Sequence, residues 1–469
     1  MKNILGYYLM PHPPIIIPDI GKGEEKKLES TLNACNKIAK EISDIKPNTI
    51  VVITPHATMF SDAIAISNEE KISGDLSKFN CSNIKMNILI DMEFNNKIIQ
   101  LCADEEIPAV PVDSKFLLQF DRKYELDHGT MVPLYFVNKY YKEYKLVHIT
   151  YSMIGDLNLY KFGMNIKKVI EELNRKVVII ASGDLSHKLK EEGPYSYSPY
   201  GEKFDKEILN NLEKGNVSEI FNMNKTMIEK AGECGLNSIL VLLGVTEGSN
   251  IKGNILSYEG PFGVGYGVMK FDLEDGNNNT LEYIAKRKEE NLRKKLTNLN
   301  PYVKLARENL IYYFTHGKKI KDLSNVSNEL LNQKHGVFVS LKKFGNLRGC
   351  IGTILPTTNS VGEEIIKNSI EAAIHDPRFN PVSESELEDI EISVDVLMDS
   401  QPCRKEELNP KKYGVIVSNG YKRGLLLPDL EGVDTIEEQL KIACKKAGLW
   451  QNENYNIKKF EVVRYKEGE

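Results

Sequence analysis

Residues 274–280 read EDGNNNT, a run of turn formers with nothing to bury, and the charged stretch LEYIAKRKEENLRKKL follows directly. No other feature constrains the fold as much. A chain of 469 residues already exceeds what one hydrophobic core usually organises, and the break marks where one folding unit ends. Three segments are expected: a first unit over residues 1–274, a charged linker or helix over 275–298, and a second unit over 299–469. The charged stretch has helical composition and reads first as a solvated helix.

Before the break, short runs rich in Val, Ile and Tyr at residues 4–9, 49–53, 145–150 and 176–181 read as strands. Between them, Leu28, Leu32, Cys35, Ile38 and Ile42 recur at helical spacing, and residues 162–173 form another helical pattern. Strand and helix alternate as in a layered α/β domain, with parallel pairing expected but not forced by the pattern. After the break the order becomes helix first, then strand patterns near 336–341, 391–397 and 414–417, which suits a smaller α+β unit.

Several functional classes have no support. No stretch of about 18 consecutive apolar residues appears that could span a bilayer. The opening MKNILGYYLMPHPP stops at prolines and lacks a small-residue cleavage site, so it does not read as a secretory signal, and the cytoplasm is the expected compartment. Seven cysteines without a CxxC pair argue against a disulfide framework or a structural zinc cluster. Acidic and basic residues interleave to a net charge of −5, leaving no extended basic field for nucleic acid.

The histidines are more informative. Four of the eight sit where strands end or turns begin: His12 in MPHPP, His56 in VVITPHAT, His128 in YELDHGTMVPL and His187 in IIASGDLSHKL. Pro11, Pro13, Pro14 and Pro55 stiffen the backbone around the first two, reducing the entropy lost on metal capture. One such histidine is more often structural than a ligand. Four of them converging on the edge where α/β folds bind ligands favour a metal or acid/base site. His148, inside the strand KLVHIT, reads as a core residue, and His316 and His335 as surface or turn residues.

The best carboxylate to complete a coordination shell is Glu233 in KAGECGLNSILVLLG, at the mouth of an apolar helix flanked by Gly232 and Gly235. Two imidazoles and one carboxylate form a facial triad, which holds Fe(II) on one face and leaves room for a bidentate diol and dioxygen. Such a positive centre lowers the pKa of a bound hydroxyl, so a catechol-like substrate can ionise near neutral pH.

At these residues the sequence resembles the LigB superfamily of class III extradiol dioxygenases: PHPP, TPH, DHG and SGDLSH occur here in that family's order, spanning nearly the whole first unit. The resemblance implies that His12, His56 and Glu233 hold Fe(II). It also implies that His187 takes a proton from the substrate hydroxyl and returns it, that His128 orients or protonates the oxygen species, and that YEGPFGVGYG (residues 258–267) lines the pocket. The same superfamily includes the Memo proteins, which use a cysteine near this position and handle copper or iron. Cys234, beside Glu233, keeps that alternative open, since a soft thiolate draws Cu(I) or Zn. Two His and a Glu also bind catalytic zinc, leaving hydrolysis as a third chemistry.

From about Pro301 the chain resembles the AMMECR family through KHGVFVSLKKFGNLRGCIGT and AAIHDPRFNPVSESELEDIEISVDVL, with LRGCIG (residues 347–352) as the hallmark. Cys350 is a nucleophile candidate. Arg348 beside it could lower its pKa or clamp an anion, and His375 with Asp376 could serve as base and orienter; a packed thiol and a capped turn are the plainer readings. The resemblance also implies the context of the AmmeMemoRadiSam system, hence a radical SAM protein as partner, and a homodimer. This chain carries no CxxxCxxC of its own for an iron–sulfur cluster.

Overall fold

A computed structural model describes residues 3–276, 279–297, 299–343, 345–430, 432–449 and 453–467. Two residues of the polar break, 277 and 278, lie outside these. The chain forms two compact units, 1–287 and 288–469, and the division falls inside the charged helix Thr280–Leu296. No helix among the described residues is long and apolar enough to cross a membrane.

The first unit is built on an eight-stranded sheet of β1 (Ile4–Met10), β2 (Thr49–Thr54), β3 (Ile64–Ser67), β6 (Ala109–Val112), β7 (Lys145–Thr150), β8 (Val177–Ser182), β9 (Ser249–Glu259) and β10 (Tyr266–Asp275), with β4 (Lys71–Leu76) and β5 (Cys81–Leu89) as a separate two-stranded ribbon. Spatial order is β6-β3-β7-β2-β8-β1-β10-β9. The four strands expected from the apolar runs are the four central ones, β7-β2-β8-β1, and all pair in parallel. Their near-continuous hydrophobicity follows from burial on both faces. Val51, Ile53 and Ile179 point into one core with helices Asp156–Leu173 and Leu236–Val245, while Ile50, Val52 and Val178 point into the other with helix Glu29–Ile45.

Helices Asp156–Leu173 and Leu236–Val245 touch through glycine. A Cβ on Gly163 would stand 2.0 Å from the Val241 carbonyl oxygen, and one on Gly244 2.0 Å from that of Tyr160. Because the central strands are parallel, their C-terminal ends share one edge, and His12, His56 and His187 all follow such ends.

The second unit is α+β, as its pattern indicates. One antiparallel sheet has the order β12-β11-β13-β18, from β11 (Gly336–Lys343), β12 (Asn346–Gly352), β13 (Ile390–Leu397) and β18 (Val462–Lys466). The other has the order β14-β17-β15-β16, from β14 (Gln401–Pro402), β15 (Gly414–Asn419), β16 (Lys422–Leu426) and β17 (Asn456–Phe460). Helices Pro301–His316 and Val361–Ile374 pack on the first sheet over Val337, Val339 and Leu341. Arg307, on the first of these helices, is fully buried, its charge met by Glu467 at 2.7 Å and by the carbonyl oxygens of Leu387 and Ile390.

Candidate metal centre

Met10, at the end of β1, lies beside Ser182, at the end of β8, so the MPHPP turn delivers His12 against the strand that leads to His187. His12 is buried, and its backbone amide donates to Asp184 Oδ1 at 2.9 Å. Its Nδ1 lies 3.0 Å from Ser182 Oγ. The Ser182 hydroxyl has one proton, and it goes to the carbonyl oxygen of Gly129, which can only accept. Ser182 must therefore accept from His12 Nδ1–H. That fixes the tautomer and turns the Nε2 lone pair inward.

The lone pair faces the other imidazoles. His56 Nε2 is 2.9 Å from His12 Nε2, and the ligand atoms of His12, His56 and His128 all lie within 4.8 Å of one another. The rings of His56 and His128 stack at 4.4 Å, and that of His12 stands edge-on to both. Two nitrogens bound at right angles to an ion about 2.1 Å away are separated by about 3.0 Å, so the 2.9 Å edge fits one shared cation. Two neutral nitrogens this close without a cation can share only a single proton. His128 thus stands in one group with the two expected ligands, its ligand atom within 4.8 Å of theirs.

Electrostatics keep the cluster neutral. Burial, then the neighbouring imidazoles, holds His12 well below the usual histidine range. Partial burial and the repulsion of His128 bring His56, at the exposed rim, to about 4, and His128 itself is lowered mainly by burial. His187 is also at about 4, lowered by burial and then by His56; its ring stacks on Tyr195 at 5.3 Å. It lies within electrostatic reach of His12 and His56 but outside the three-imidazole group.

The two residues weighed as third ligand take different places. Glu233 accepts from the Leu236 amide at 2.6 Å, at the start of helix Leu236–Val245, and burial lifts its carboxyl to about 7. It is not part of the three-imidazole group. Cys234 turns its sulfur to His12 Nε2 at 3.6 Å, and burial pushes its thiol far up. Asp184, unremarked as a site residue in the sequence, lies 3.9 Å from the same nitrogen, and burial raises it to about 7. Its place inside SGDLSH was the signal that could have found it.

Asp127, the aspartate of DHG, was the other omission. It accepts from Thr54 Oγ at 2.5 Å and pairs at 3.1 Å with His148, whose other nitrogen meets Ser67 at 2.7 Å. Burial raises the Asp127 carboxyl, but the contacts from His148, Thr54 and Thr130 outweigh it and hold the group well below the usual range. His148 is therefore a buried strand residue that also braces the turn from which His128 starts. A Cβ on Gly129 would stand 2.3 Å from Thr54 Oγ, which explains the small residue there. The 258–267 stretch, expected to line the pocket, braces the His187 loop: Leu185 donates to the Gly265 carbonyl, Gly265 to that of Ser186, and Leu189 to that of Gly263.

In the second unit the expected thiol site is arranged differently. The Arg348 guanidinium is taken by Glu386 and by the carbonyls of Asn380 and Pro381, which corrects its assignment as a partner of the Cys350 thiolate. His375 is on the surface, paired with Glu371 at 3.2 Å, so no Cys350–His375–Asp376 relay is formed among the described contacts. Asp376 does reach Cys350, through its backbone amide at 2.8 Å, and Ser340 donates to the sulfur at 3.1 Å.

Comparison with known proteins agrees with this division. Residues 6–269 match the family described as the catalytic LigB subunit of aromatic ring-opening dioxygenase, and residues 303–468 match AMMECR1. The chain is 53% identical over 466 residues to Protein CA_C1420 of Clostridium acetobutylicum, covering 99% of this chain and 100% of that one. A Thermotoga maritima protein is 52% identical over 171 residues, 36% of this chain and 98% of its own. The solved structure of the uncharacterized protein PH0010 from Pyrococcus horikoshii covers 36% of this chain and 90% of its own at 34% identity, with a TM-score of 0.33.

Proposed function

We propose, from the premise that this chain belongs to the LigB family and carries an AMMECR1 domain after it, that its first unit is a metal-dependent oxidoreductase of the extradiol ring-opening kind. In this reading it acts on a catechol-like substrate with O2 and holds ferrous iron. The observation that carries the reading is the 2.9 Å approach of two Nε2 atoms, one of them fixed in its tautomer by Ser182. When bound, Fe(II) supplies a redox-active positive centre that favours the ionised diol.

The chain's own residues do the rest. His12 and His56 are neutral near pH 7 and present nitrogen lone pairs without first losing a proton. Glu233 and Asp184, at about 7, supply carboxylates that a cation would draw into the ionised form. His187 is neutral too, so it can accept a hydroxyl proton, and its stack on Tyr195 fixes the plane from which it does so. The test is oxygen consumption across a catechol panel by anaerobically purified, Fe(II)-loaded protein. Uptake that disappears in His12→Ala supports the reading, and no uptake with any diol contradicts it.

A second reading, metal handling of the Memo kind, is favoured by one contact, Cys234 Sγ at 3.6 Å from His12 Nε2. Tight copper binding lost in Cys234→Ser, without oxygen uptake, would select it. Zinc with ester hydrolysis would select the third chemistry.

A further inference from the structure

The second unit holds a cleft of about 980 Å³ lined by strands of both its sheets, which the proposed chemistry of the first unit does not use. Strand alternation decides what one wall carries. Val337, Val339 and Leu341 turn into the core, so Phe338, Ser340 and Lys342 turn the other way, into the cleft. Register carries the pattern across the sheet. Cys350 lies opposite Ser340 and Ser340 opposite Ser393, while Phe338 lies opposite Asp395 and Asp395 opposite Arg464.

A sheet face open only to solvent could carry any polar residue, but here two guanidiniums are anchored. Arg464 donates through Nε and Nη2 to Asp395 at 2.7 and 2.9 Å, and Arg378 through Nε and Nη2 to Asp376 at 2.9 and 2.6 Å. Both aspartates are buried, at 3% and 4% exposure. Arg378 Nη2 also holds the carbonyl of Cys350. Among the described residues neither Nη1 donates to a protein group, so each fork keeps one edge open and already oriented. The Cys350 sulfur is within electrostatic reach of both.

Charge and apolar surface narrow the occupant. With Asp376 and Asp395 matched and Glu467 held by Arg307, the lining still sets Lys342, Arg423, Lys446 and Lys466 against Glu391 and Asp429. Phe338, Ile354 and Leu425 add apolar surface. We propose that this cleft binds a small amphiphilic molecule through a carboxylate or phosphate, the free edges of Arg378 and Arg464 gripping the oxyanion beside Cys350.

Cys350 reports occupancy, and Cys403 and Cys444, also partly exposed but outside the lining, are internal controls. The experiment is alkylation of the full chain by iodoacetamide, followed site by site by mass spectrometry, with sodium benzoate or phenyl phosphate at ionic strength matched by chloride. At ten times the half-protecting concentration, Cys350 should react about tenfold more slowly while the two controls are unchanged. Benzoate alone protecting assigns a carboxylate, and phenyl phosphate alone a phosphate. Protection should vanish in the charge-neutral pair Asp395→Asn with Arg464→Gln. If that pair does not fold, Arg464→Lys, which keeps the charge but not the fork, should raise the protecting concentration. Neither anion outdoing chloride, all three thiols being protected alike, or undiminished protection in a folded variant each overturns the proposal.

Discussion

In the first unit the buried carboxyls of Asp184 and Glu233 meet backbone amides, Asp184 also lying 3.9 Å from His12 Nε2, and burial lifts both to about 7. In the second, Asp376 and Glu386 lie against Arg378 and Arg348; Asp376 is held well below the usual range, and Glu386 is brought down to about 2 despite its burial. One unit gathers three neutral imidazoles at a point that a cation would suit, and among the described contacts gives Asp184 and Glu233 no lysine or arginine. The other supplies its own cations to its own acids, leaving donor edges over. A buried carboxylate thus points to a metal only when no protein cation neutralises it.

The comparison breaks most visibly at Arg307. Replacing it by alanine leaves Glu467 buried without its partner and should cost the second unit about 3–5 kcal/mol in urea unfolding, leaving the first unit's transition in place. Equal loss in both transitions would mean that the units do not balance their charges separately.

A paired substitution tests the sign. The folded pKa of Glu233 is raised, so its cost to folding sets in as pH rises from its ordinary value toward about 7. In metal-free protein at pH 8, Glu233→Gln should therefore stabilise by up to about 3 kcal/mol, at about 1.4 kcal/mol per pKa unit, and the gain should fade below about pH 4.5. Glu386 is depressed, so its contribution is present above its ordinary value and is lost as pH falls through about 2. Glu386→Gln should destabilise at pH 7, with the gap closing in acid. Thermal melts across pH read both slopes, and slopes of the same sign would remove the contrast.

The smallest expected effect concerns Ser182. Ser182→Ala leaves His12 Nδ1 without its acceptor and frees the tautomer, which should weaken metal affinity about 10–100-fold with little change in melting temperature. Unchanged affinity would show that the ring orientation is fixed by something other than this hydroxyl.

Much of the molecule was legible in the sequence, for reasons that differ by residue. The central strands stood out because burial on both faces demands unbroken Val and Ile, and the parallel sheet then put the strand-end residues His12, His56 and His187 on one edge. His128 was visible, but not its grouping with His12 and His56, because that depends on the Asp127 brace to Thr54 and to His148, which are 73 and 21 residues away in sequence. Asp184 and Ser182 were hidden for the same reason, since their partners are 172 and 170 residues away. The sequence favours Glu233 over the adjacent Cys234 as third ligand but does not place either side chain. Their side chains diverge, one to a helix start and one to His12, and only backbone geometry decides that. In the second unit, proximity in sequence misled: Arg348 stands two residues before Cys350, where alternation would put both on one face, but the register shifts at Arg348, between the Leu347 and Gly349 pairings, and its guanidinium goes to Glu386.

Three imidazoles gathered around His12 Nε2 should hold one metal ion. Metal analysis of the full chain purified without oxygen and without added chelator tests this directly, alongside His12→Ala and His56→Ala. About one ion per chain is expected in the parent and none in either variant, with both variants still folded. Metal-free parent protein that takes up no Fe(II), Cu or Zn, or an ion retained in full by His12→Ala, would contradict it.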